Sequence, residues 1–86
     1  MSYEKIEIAA KAFAAAPDKN CVNEFFLLKE EVKQAAYSVN ADNAKAVQAF
    51  GEAVRKICLK AGLSQVIATH FDDHARKMVD LVDIPF

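Results

Sequence analysis

The sequence predicts an all-α fold: one domain over residues 1–86, built as a compact bundle of about four short helices with the third, about 43–61, central. Three observations carry that expectation. Sixteen alanines against two glycines and two prolines, with no tryptophan, favour closely packed helices over a sheet. Apolar residues recur at three- and four-residue spacing in four separate stretches. Between those stretches stand residues that start and stop helices. A chain of 86 residues has a real but marginal core, because at this size only roughly 60% of the unfolded surface is buried. Association with itself or with a partner would add stability.

Ser2 suits the cap of the first helix, with Glu4 well placed for the helix dipole. Ile6, Ala9, Ala10 and Phe13 make its inward face, and Glu7–Lys11 is an i,i+4 pair. Pro17 pushes the preceding residue out of helical geometry, so Pro17–Asn20 is a turn and Asn20 the cap of the second helix. That helix is expected from about Cys21 to Val39, inward through Val22, Phe25, Leu28, Val32, Ala35, Ala36 and Val39. Its run Phe25-Phe26-Leu27-Leu28 points around the whole circumference. Leu27 has Asn23, Glu24, Glu30 and Glu31 as helical neighbours and should face the polar side, with Phe26 at the border. Either helix two is buried on two sides, or Phe26 and Leu27 form a binding patch.

Ser38–Asn43 is a second turn, and Asn40 or Asp42 is the expected cap of the third helix. Val47, Phe50, Val54, Ile57, Cys58 and Ala61 form its apolar stripe, with Glu52–Lys56 in the favourable i,i+4 order. Gly62 is placed to take the left-handed position at its end. Ser64 then caps a fourth helix, Gln65 to about Val82, whose apolar side is Val66, Ile67, Phe71, Ala75, Met78, Val79 and Val82. Asp72–Arg76 and Asp73–Lys77 are i,i+4 pairs expected on a solvated face. The tail Asp83–Phe86 carries Ile84 and Phe86 around a proline, as a segment folded against the bundle or as a docking peptide.

The formal net charge is −1, and neither half of the chain is a basic patch, which argues against nucleic acid as the main partner. No apolar run approaches the ~18 residues of a membrane span, and the first residues lack the pattern of a signal peptide. Cys21 and Cys58 are then expected as reduced thiols in a cytoplasmic protein, Cys58 acting as a small hydrophobe. His70 and His74, one helical turn apart with Asp73 nearby, form the single cluster with metal-ligand spacing. No third ligand is evident in the sequence, so no metal or other cofactor is expected. Nucleophile–base pairs with family context and glycine-rich phosphate loops are also missing, which argues against an enzyme.

Phe50–Ile57 followed by Ala61-Gly62-Leu63-Ser64-Gln65 resembles the opening of a phage-repressor-type helix-turn-helix domain. In that family such a stretch is the first helix and the turn into the second. The resemblance covers about 16 residues. It implies a second helix at Val66–Phe71, a recognition helix within Asp73–Leu81, and Arg76 and Lys77 as DNA contacts whose affinity falls steeply with salt. The chain departs from the pattern after Phe71, where no Gly-Val/Ser turn appears and Asp72 and Asp73 would face phosphates.

The function expected from these observations is a small non-enzymatic interaction module: a regulator, adaptor or inhibitor that covers a protein surface, in the style of phage or mobile-element proteins. Its contacts would be Phe26, Leu27, Ile84 and Phe86, and its partner a foreign protein or a second copy of itself. A DNA-binding regulator using Arg76 and Lys77 is the alternative, and a metal-binding protein using His70 and His74 the second.

Overall fold

The computed structural model describes residues 3–16 and 22–82. Four helices occupy most of them: α1 (Glu4–Ala15), α2 (Val22–Ala36), α3 (Ala44–Lys60) and α4 (Gln65–Val82). Tyr3 precedes α1 without a side-chain cap, and Glu4 and Glu7 supply negative charge to its first turn. Ala16, ahead of Pro17, is extended at φ −72° and ψ 145°, which ends α1. The expected cap at Ser2, the turn at 17–20, Asn20, Cys21 and the tail 83–86 lie outside the described residues.

Helix α2 stops at Ala36, three residues short of the expected Val39. There the backbone tightens, with Ser38 N–H donating to Ala35 O and Val39 N–H to Ala36 O. The Asn40 side chain accepts from Asp42 N–H at 3.0 Å, a local turn that occupies it. Asn43 caps α3 instead of Asn40 or Asp42, accepting from Ala46 N–H at 3.2 Å. At the other end of α3, Gly62 takes φ +102°. Gly62 N–H donates to Leu59 O and Leu63 N–H to Cys58 O, the paired bonds of a Schellman ending, and Leu63 is buried beneath it. Ser64 Oγ then accepts from Ile67 N–H at 3.3 Å and starts α4.

Each helix packs on two neighbours, in the ring order α1–α2–α4–α3. The α3/α4 contact is the most extensive, and α3 also packs on α1. Shared contacts fix the directions. Phe13, late in α1, meets Phe25, early in α2, while the earlier Lys5 and Ile8 share a groove with the later Leu27 and Glu31, so α1 and α2 are antiparallel. Tyr3 stacks on Phe50 while Glu7 and Lys11 flank Ile57 and Lys60, so α1 and α3 run parallel. Phe25 meets Phe71 while Lys29 meets His74, so α2 and α4 run parallel too. The link 37–43 therefore joins helices that are diagonal in the ring.

The core is made by Ile6, Ala9 and Ala10 of α1, Leu28, Val32 and Ala36 of α2, Phe50, Val54 and Cys58 of α3, and Ala68, Phe71, Ala75 and Val79 of α4. All six residues of the expected α3 stripe are in this core or packed against it. Val22 and Val66 are not: they are 59% and 82% exposed. Val22 is in phase with Phe26 and Lys33, and Val66 with His70, Asp73 and Lys77, so each lies on its helix's outer side. Among the described residues no helix is long and apolar enough to cross a membrane.

Candidate functional site

Helices α1 and α2 leave an open apolar groove between them. Its lining is Lys5, Ile8 and Ala9 from α1 with Leu27 and Glu31 from α2, around about 130 Å³ of space. Ala9 is buried, while Ile8 is 60% and Leu27 48% exposed. The helical period explains the split: Ile6, Ala9, Ala10 and Phe13 hold α1 to the core, and Ile8 points away from that stripe. Phe26, 61% exposed, extends the surface beside Leu27, its ring set edge-on to Phe25 at 5.9 Å. Burying one such side chain is worth about 1.5–3 kcal/mol. Phe26 and Leu27 are thus brought together at the surface; Ile84 and Phe86 lie outside the described residues.

The histidines belong to an aromatic cluster at the α2/α4 seam. Phe71 meets Phe13 and Phe25, His70 stacks on Phe25 at 6.0 Å, and Lys29 Nζ stands 4.9 Å over the Phe25 ring. His74 sets its ring edge-on to Phe71, with Nε2 3.4 Å from Lys29 O. Burial holds the His74 pKa below its ordinary value; the Lys29, His70 and Lys77 charges push the same way, against the pull of the Lys29 carbonyl. Among the described residues no group of three or more His, Cys, Asp or Glu gathers around a common point.

Arg76 and Lys77 do not form a pair of equivalent cations. Arg76 Nε donates to Asp72 Oδ1 at 2.7 Å, and Arg55 Nε from α3 stands 3.5 Å from Oδ2. Asp72 is buried, 8% exposed, where the sequence suggested a solvated face. The reason is Gly51: a Cβ there would collide with Asp72 Oδ1 and come within 2.6 Å of Arg76 Nε. The missing side chain makes room for the carboxylate against α3. Lys77 stays exposed on the outer face. Helix α4 also runs unbroken from Gln65 to Val82, so the second and recognition helices implied by the helix-turn-helix resemblance are here one continuous element.

Cys58 is buried, and desolvation pushes its thiol up to about 11, which keeps it protonated and unreactive at neutral pH. A second groove, of about 50 Å³, is lined by Glu7, Lys11, Ile57, Lys60 and Ala61 and has room for a few waters at most. Two contributors lie outside the expected site residues, though each leaves a signal in the sequence. Ile8 is legible as an isoleucine off its own helix's stripe. Gly51 is legible as a glycine inside a helix, costing ~1 kcal/mol relative to alanine unless close packing requires it. No protein-family model, curated protein or solved structure matches this chain.

Proposed function

We propose that this chain is a small non-enzymatic interaction module, a regulator, adaptor or inhibitor that works by covering a protein surface with its α1/α2 face. The observation that supports this reading is that Ile8 and Leu27, both largely exposed, line one groove with exposed Phe26 beside Leu27, above a core in which the large side chains are fully enclosed. Side chains of this size left largely in solvent cost solubility and add little to the fold, so a contact surface is a reason to keep them there. The DNA alternative draws less support, because Arg76 is held by Asp72 and Lys77 is left as the remaining cation of the expected pair.

The double substitution Phe26→Ser with Leu27→Glu tests the reading. Both side chains are exposed, so circular dichroism and the melting temperature should stay close to those of the parent chain. Binding to protein, whether self-association or capture of a partner, should fall at least about tenfold, the equivalent of one lost apolar anchor. If both kinds of binding persist unchanged, the α1/α2 face is not the contact surface.

A further inference from the structure

We infer that the α1/α2 groove is where two copies of this chain meet, about a two-fold axis running along the groove. This rests on the α1/α2 face being the contact surface and commits that surface to one partner. The groove is self-complementary at two levels. Lys5 and Ile8 line the α1 wall and Leu27 and Glu31 the α2 wall, and because the two helices are antiparallel Lys5 and Glu31 lie toward the same end of the groove. Among the described residues neither Lys5 nor Glu31 forms an ion pair within the monomer.

A two-fold axis along the groove keeps height along the helices and exchanges the two sides. It lays α1 of one copy on α2 of the other, antiparallel. Ile8 then meets Leu27 of the second copy, and Lys5 meets its Glu31, so every apolar and charged position finds an unlike or apolar counterpart twice over. An axis across the groove would instead lay α1 on α1 and leave Lys5 without Glu31. The expected assembly is a four-helix layer of two hairpins, flanked by Phe26, with apolar residues inside and ion pairs at the rim.

Light scattering and sedimentation equilibrium on the untagged full chain, from about 1 to about 300 µM, read the outcome directly. The chain should pass from monomer to dimer within that range. Lys5→Glu and Glu31→Lys should each weaken dimerisation at least about tenfold, since one reversal creates two like-charge contacts by symmetry. Mixing the two variants restores unlike pairs only between copies, and should recover a mixed dimer of parental affinity. Ile8→Ser, at an exposed position, should weaken the dimer without a charge change and serves if a reversal impairs folding.

A parent chain that stays monomeric throughout, reversals without effect, or a mixture that fails to recover would each overturn the inference. The wider reading fails separately: a monomeric parent whose partner capture is lost on Phe26→Ser with Leu27→Glu keeps the contact surface and removes only the second copy.

Discussion

A carboxylate withdrawn from water needs partners, and Asp72 has two arginines and a glycine that makes room for it. Asp72→Ala should cost about 2–3 kcal/mol, below the 3–5 of a fully buried pair because Arg55 and Arg76 are partly exposed. On an open helix face Gly51→Ala would stabilise by ~1 kcal/mol; here the methyl displaces the carboxylate, and a net loss of about 1–2 kcal/mol is expected. With Asp72→Ala already present the clash with the carboxylate is gone and Arg76, no longer held by it, is free to swing away, so Gly51→Ala should turn neutral or favourable. Urea unfolding of the four-member cycle would check this, strict additivity being the contrary result. His74 carries the second residue-scale prediction. Its folded pKa lies below the ordinary 6.5, so the fold prefers neutral imidazole. That contribution is fully present above the unfolded pKa and is lost as pH falls from about 6.5 through the lowered folded value. Melting temperature should drop across that window, and His74→Gln should flatten the drop.

At the scale of elements, the chain's stops and starts are set by single polar atoms. Asn43→Ala should cost about 1 kcal/mol, because the Ala46 N–H loses its acceptor, whereas Asp42→Ala should change stability by less than about 0.5 kcal/mol. Thermal melts of the two variants decide between Asn43 and Asp42 as the cap. Much at this scale was legible in the sequence. The α3 stripe, the left-handed Gly62, the Ser64 cap and the outward Leu27 depend on residues within a few positions of one another, and local grammar suffices for them. The cap itself is less legible: Asn40 uses its side chain on the backbone two residues on, Asn43 caps, and both uses look alike in sequence. Val22 and Val66 leave the expected stripes for a different reason: near a helix start, an apolar residue out of phase still reads as part of the stripe.

The whole molecule is set by contacts between residues far apart in the chain, which periodicity cannot supply. Nothing in the spacing of α4 announces that Asp72 sits against Gly51 or that Phe71 gathers Phe13 and Phe25. The groove of Ile8 and Leu27 likewise needs α1 and α2 to be neighbours, a fact of ring order. Phe26 and Leu27 were visible as surplus apolar residues; that Ile8 joins them was not. The same ring order sets what the link 37–43 does. It crosses one end of the bundle, and Tyr37 at its start is exposed. Severed there, for example by a protease, the chain would keep both antiparallel hairpins whole, since α1 stays tied to α2 and α3 to α4. What disappears is the covalent tether, whose contribution is an effective concentration of roughly millimolar order. The cut halves would then be a two-fragment protein whose assembly is governed by dilution, coming apart below the fragments' own dissociation constant and re-forming above it.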